Sequence, residues 1–187
     1  MSADSITMRD TLRQTLVHVL PDLQKHCREP WYLIGSAAAW LAGVDVSVAD
    51  LDVLASADDA AQLENQWRDL RDPVYAPVGA ELFRSRFARF RFPGLPVEVM
   101  GGLELDRGDG WQPVQVHEAT SVSVAGFTVP IPTVAEQIRI LESFGRPKDL
   151  QRAALLNALN PSSAVFNSSP CSRREASPAG QGEAGRG

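Results

Sequence analysis

Asp50 and Asp52 stand two residues apart in Asp50-Leu51-Asp52, next to Val53 and Leu54, in a run whose residue types read as a β-strand. On a strand, residues i and i+2 point to one side. Both carboxylates therefore face the same way, and Leu51 and Val53 face the buried side. Two like charges roughly 7 Å apart repel, and a divalent cation between them removes that cost. Mg²⁺ suits such a place, because it takes a few carboxylates and fills its shell with phosphate oxygens and water. Glu98 raises the same question in Pro96-Val97-Glu98-Val99-Met100, where a charge interrupts an apolar strand. If the Glu98 strand neighbours the Asp52 strand, a three-carboxylate cluster results. Such a cluster holds two metals, one activating a hydroxyl nucleophile and one steadying a triphosphate leaving group. Upstream, Gly35-Ser36 supplies the other half of that chemistry. A glycine turn before a helix exposes backbone N–H groups toward phosphate, and the Ser36 hydroxyl adds a donor.

Taken singly these signals are weak, since Asp-x-Asp and Gly-Ser pairs are common at loop edges. Their order is the specific feature: strand, Gly-Ser, helix, Asp-x-Asp strand, then a Glu inside an apolar strand.

The elements that must position them follow from periodicity. Leu12, Leu16, Val19 and Leu23 recur at three- and four-residue steps, so a first helix is expected over Ile6 to His26, kinked or interrupted at Pro21. Trp31 to Ile34 reads as a strand, Ala37 to Leu41 as a helix and Leu51 to Leu54 as a second strand. Ser56 and Asp59 form a capping box that opens a helix to about Leu70. Arg86 to Phe92 and Leu95 to Met100 flank Pro93-Gly94 as a hairpin, with Gly101-Gly102 ending the second strand. Short strands are expected at Val114 to His117, Ser121 to Val124 and Phe127 to Ile131. Thr133 and Glu136 cap a helix that Gly145 ends, and Pro147 starts another through Leu159. The sum is an α/β (α+β) fold: a mixed sheet flanked by helices, with a C-terminal helical pair. One domain is expected over 1–159, its helical part at 133–159, followed by a tail over 160–187. That tail, rich in Ser, Pro, Gly and Ala, is expected to be disordered.

Composition narrows the partners. With 18 basic against 23 acidic residues the formal net charge is −5, so no global basic field draws the chain to nucleic acid or anionic lipid. No apolar run approaches the roughly 20 residues that a spanning helix needs, and Met1 to Arg9 lacks the apolar core of a secretory signal. Cys27 and Cys171 read as two free thiols of a cytoplasmic protein.

With these residues in place, the sequence resembles the nucleotidyltransferase-fold superfamily, closest to small single-chain members of the abortive-infection AbiEii type. The resembling stretches are Ile34-Gly35-Ser36-Ala37-Ala38, Asp50-Leu51-Asp52-Val53, Val97-Glu98-Val99 and Gly145-Arg146-Pro147-Lys148-Asp149-Leu150. The resemblance implies that Gly35 and Ser36 hold the triphosphate and that Asp50, Asp52 and Glu98 are the catalytic, metal-binding residues for Mg²⁺ (or Mn²⁺). It implies that Lys148 reaches the nucleotide phosphates. The implied reaction transfers a nucleoside monophosphate from a nucleoside triphosphate such as ATP to a hydroxyl of RNA, protein or a small molecule. A narrower version is a toxin that travels with a cognate antitoxin. Many such members carry Arg and Thr shortly before the first Asp. Here that stretch is Asp45-Val46-Ser47-Val48-Ala49, which supports the alternative of a silent nucleotide-binding or partner-binding module.

Other residues read more plainly. Arg84, Arg86, Arg89 and Arg91 interleave with phenylalanines, either as a basic surface beside the site or, the favoured reading, as a solvated strand face balanced by nearby acids. Lys148-Asp149 also fits an ordinary helix start. His18, His26 and His117 show no ligand spacing, and the four tryptophans read as packing residues.

Overall fold

The computed structural model describes residues 3–76 and 81–159; the expected tail over 160–187 and Cys171 lie outside the described residues. Chain order is α1 (Ala3–His26), β1 (Tyr32–Ile34), α2 (Gly35–Leu41), β2 (Leu51–Ala55), α3 (Ala57–Gln66), β3 (Phe83–Phe90), β4 (Val97–Asp106), β5 (Trp111–Pro113), β6 (Ala119–Val124), β7 (Phe127–Pro132), α4 (Val134–Phe144) and α5 (Pro147–Leu159).

The main sheet runs β1-β2-β4-β3, with β5 on the far end of β4. β1 is antiparallel to β2, β2 parallel to β4, and β4 antiparallel to β3. One register row crosses all four strands: Ile34, Asp52, Glu98, Arg89. The row beside it, Leu33, Val53, Val99, Ala88, points to the opposite face and is buried. That apolar face packs on Leu12, Leu16, Val19 and Leu23 of α1 and on Ala60 and Leu63 of α3. The alternation therefore sorts this sheet into a core face and a chemical face.

Three details fix the mounting. Thr15, fully buried on α1, accepts the Leu95 N–H at 2.8 Å and donates to the Pro93 carbonyl at 3.1 Å, which ties the β3–β4 hairpin to the helix. Ser56 caps α3 by accepting the Asp59 N–H at 3.1 Å. The Asp59 carboxylate does not close the capping box; it takes the Arg28 and Glu29 N–H groups at 3.0 Å each, pinning the loop into β1 and holding its pKa low despite burial.

Several expectations change. The first helix runs through Pro21 without interruption. The carbonyl that loses its partner is that of Val17, four residues back, whose side chain is exposed, so the gap faces water. α3 ends at Gln66 and is followed by a 3₁₀ turn at Arg68–Leu70. Strand β4 continues through Gly101-Gly102 to Asp106. A Cβ on Gly101 would collide with Ala60, so this glycine serves close helix–sheet packing and does not stop the strand. Val114 to His117 is not a strand; β5 sits just before it. β6 and β7 form a separate two-stranded ribbon, and α4 and α5 form the helical pair. Among the described residues no helix is long and apolar enough to cross a membrane.

Candidate active site

Parallel pairing of β2 and β4 puts Asp52 directly beside Glu98. Asp50 lies one residue ahead of β2 and lines the same cavity, of about 420 Å³, as Asp52, Glu98, Gly35, Ser36 and Lys148. All six sequence-derived candidates thus converge, although Asp50 is on the approach to the strand, not within it.

Gly35 opens α2 in the left-handed region at φ +68°, and a Cβ there would collide with the Asp52 carboxylate. Backbone therefore closes directly on the acid, which only glycine permits. Ser36 is buried behind it.

The electrostatics are those of a crowded anionic site. The Asp52 carboxyl is pushed up to about 7, first by desolvation and then by the charges of Asp50 and Glu98; Arg152 and Lys148 pull the other way. Glu98, 7% exposed, is also raised, by desolvation and then by Asp50, while Tyr75 and Arg89 oppose the shift. Arg89 is the register partner of Glu98 across the hairpin. Its guanidinium pairs with Glu98, lies 3.6 Å from Asp50 and stacks 4.0 Å over the Tyr75 ring. Among the described residues no three acidic, His or Cys groups already stand at the spacing of a metal site.

The remaining arginines of the row behave differently. Arg84 pairs with Glu104, Arg86 with Glu64 at 2.6 Å, and Arg91 with Asp72 at 2.8 Å, all with exposed guanidinium-bearing side chains. The balanced, solvated face describes Arg86 and Arg91; Arg84 has an acidic partner and also lines the cavity, and the reading fails for Arg89.

Helix α5 supplies the opposite wall. Lys148 is exposed and lines the cavity. Sequence reasoning missed Arg152, Arg146 and Tyr75, which line the same space. A signal existed for Arg152, one helical turn from Lys148 and so on the same face. Asp149 is fully buried between the arginines, an ion-pair anchor as well as a helix-start acid. Phe83, Phe87, Phe144 and Met100 make the apolar end of the cavity. Among the described residues no histidine lines this cavity; the His117 backbone N–H donates to Glu136 at 2.7 Å.

Solved structures decide the fold. A Thermotoga maritima chain assigned as a nucleotidyltransferase superposes with TM-score 0.60 at 22% identity, over 81% of this chain and 94% of that one. The fold is that of the nucleotidyltransferases. The antibiotic-resistance factor ANT(2'')-Ia matches with TM-score 0.52 at 13% identity, over 81% of this chain and 86% of that one. The lincosamide antibiotic adenylyltransferase LnuA, in its lincomycin-bound form, matches with TM-score 0.50 at 11% identity, over 76% of this chain and 95% of that one. The sequence matches no protein-family model and no curated protein. Within the nucleotidyltransferase fold of this chain, Gly35, Asp50, Asp52 of β2 and Glu98 of β4 line one cavity.

Proposed function

We propose that this chain is a nucleotidyltransferase that moves a nucleoside monophosphate from a nucleoside triphosphate to an acceptor hydroxyl with a divalent cation, Mg²⁺ or Mn²⁺. The observation that carries the reading is the register pairing of Asp52 with Glu98, with Asp50 in the same cavity.

The donor chemistry fits a hard cation. Asp50, Asp52 and Glu98 offer carboxylate oxygens only, and the Asp52 charge is disfavoured by burial and by its two neighbours, a burden that a cation relieves. Asp50 and Asp52 would hold it, with Glu98 as the third ligand once Arg89 yields its grip. When bound, the cation supplies charge neutralisation at the phosphate oxygens. The chain's own groups do the rest. Gly35 lets backbone approach the phosphates, and the Ser36 hydroxyl and Lys148 ammonium bind them. The acceptor oxygen forms a bond to the α-phosphorus as the bond to the β-phosphate oxygen breaks, and pyrophosphate leaves. The acceptor proton passes to a carboxylate of the Asp50, Asp52 and Glu98 cluster. Phe83, Phe87 and Phe144 give part of the cavity an apolar lining.

A second reading has its own support: Arg89 already compensates Glu98 and approaches Asp50, as expected of a silent module that binds nucleotide or a protein partner. The narrower form of the first reading is a cytoplasmic toxin of the AbiEii type, acting on RNA or protein and paired with an antitoxin; its support is the residue pattern alone. Residues 1–159 are taken as one functional unit. The deciding experiment incubates the protein with each of four α-labelled nucleoside triphosphates, with Mg²⁺ or Mn²⁺, against total cell RNA and protein. Label in a macromolecule supports transfer; thermal stabilisation by nucleotide without label supports the silent module. No label and no thermal shift with any nucleotide overturns both.

A further inference from the structure

Away from the cavity, the chain treats its strand edges unequally. Strand β3 carries the charged Arg84 and Arg86. Its end is covered, since the Asp72 N–H donates to the Arg89 carbonyl and the Arg91 N–H to the Leu70 carbonyl, each at 2.8 Å. Charge and cover are the usual means of keeping an edge from pairing with another chain. Strand β6 has neither. β7 packs beside β1 and pairs with β6. Among the described residues no strand or bridge pairs with β6 along its other edge. Its six residues, Ala119-Thr120-Ser121-Val122-Ser123-Val124, hold no charge and no proline. Ala119, Thr120, Ser121 and Ser123 are exposed. The ribbon is a fixed template, because Ala125 and Gly126, at φ 50° and 87°, close it as a two-residue turn whose twist matches the strands.

We propose that β6 is a docking edge for a second copy of this chain, the two β6 strands pairing antiparallel about a two-fold axis at Val122.

The strand fits its own copy. An axis through Val122, perpendicular to the ribbon, sets Val122 beside its copy, Ser121 beside Ser123 and Thr120 beside Val124. Facing residues then share one side of the joined sheet, as strand pairing requires. Glu118 meets Gly126, so no acid opposes an acid, which matters in a chain of formal net charge −5. The backbone agrees. Val124 stands opposite Phe127 across the turn, so Thr120, Val122 and Val124 direct their backbone groups to β7, and Ala119, Ser121 and Ser123 direct theirs outward. In this register Ser121 of one copy and Ser123 of the other exchange both N–H···O bonds, and their hydroxyls add cross-strand contacts. A foreign strand finds no charged side chain here to select it. The edge offers backbone and small side chains, which its own sequence complements. A single strand pair is a small interface, below about 1,200 Å², so the dimer is concentration-dependent.

Sedimentation equilibrium of the full chain over about 2–500 μM tests this. The wild type should pass from monomer to dimer with a dissociation constant on the order of 10–100 μM. Two double variants set like charges against each other across the pair: Ser121→Lys with Ser123→Lys, and Ser121→Glu with Ser123→Glu. Each alone should weaken self-association at least about tenfold, and an equimolar mixture of the two should form a dimer at least as tight as that of the wild type. The lysine pair brings the chain nearer neutrality, so its loss of dimer cannot come from overall repulsion. Both serines are exposed, so each variant should melt within about 3 °C of the wild type. A wild type that stays monomeric across the range overturns the proposal and leaves the edge to another segment of the chain or to a different protein. Self-association that both variants retain, or a dimer that mixing does not restore, overturns it as well.

Discussion

Asp52 and Glu98, 46 residues apart in sequence, are direct register partners on the parallel strands β2 and β4, and both side chains face one cavity. Parallel pairing fixes this: the crossover through α3 brings β4 alongside β2 in the same direction, so two acids at matching positions cannot avoid each other. The result is an acidic pair whose charge the fold itself disfavours.

Replacing Asp52 should therefore stabilise the chain while disabling it. Its carboxyl is near 3.8 unfolded and about 7 folded. The fold thus favours the neutral form, and a stability penalty grows as pH rises from about 4 to about 7 and stays constant above. Asp52→Asn should gain about 1–3 kcal/mol at pH 8, with no gain below pH 4. Urea melts of both proteins at the two pH values check this. Added Mg²⁺ should raise the Tm of the wild type more than that of the variant.

Arg89 should prove structural and electrostatic together. Arg89→Leu leaves the buried Glu98 without its guanidinium and should cost about 2–3 kcal/mol at pH 8. The double variant Arg89→Leu with Glu98→Gln should recover at least half of that loss. A double-mutant cycle in urea reads the interaction directly.

Gly35→Ala meets two obstacles, a left-handed φ of +68° and the Asp52 carboxylate in the path of the new methyl. The backbone strain alone costs about 1–2 kcal/mol. Because the collision partner is Asp52, nucleotide-dependent thermal stabilisation should disappear with the stability loss, whereas Gly126→Ala, with open space around its Cβ, should lose stability only.

Away from the site, Glu136 joins α4 to the segment before β6. It takes the His117 N–H at 2.7 Å and the Arg139 guanidinium, and its carboxyl is held down to about 2 from an ordinary 4.5, chiefly by Arg139. A depressed acid stabilises above its unfolded pKa, so this contribution is present above pH 4.5 and is lost as pH falls toward 2. Glu136→Gln should cost about 1–3 kcal/mol at pH 7, with the gap to wild type closing through that window in acid-unfolding curves.

How far the sequence carried this picture differs by residue. Strand alternation and chain order, both local signals, pointed to Asp50, Asp52, Glu98, Gly35 and Ser36, and the family resemblance pointed to Lys148; the six line one cavity. Arg89 was within reach, since counting outward from Pro93-Gly94 pairs it with Glu98; the periodicity of the whole arginine row, three of which do find solvated acid partners, obscured it. Tyr75 lies in a connection with no period, and only the stacking of its ring on Arg89 reveals it. Gly101 was misread because glycine in a strand signals either a stop or a close approach, and the choice depends on Ala60, which sequence does not place beside it. The meeting of α5 with the acidic wall depends on how the terminal helical pair docks, a tertiary packing outcome beyond any local pattern.

Transfer of label from an α-labelled nucleoside triphosphate, with Mg²⁺ or Mn²⁺ and the best acceptor fraction, tests the central claim most directly when wild type is run beside Asp50→Asn and Asp52→Asn. The account predicts that wild type labels the acceptor and that each variant falls by at least about a hundredfold while remaining folded. Transfer at the wild-type rate by both folded variants would contradict it.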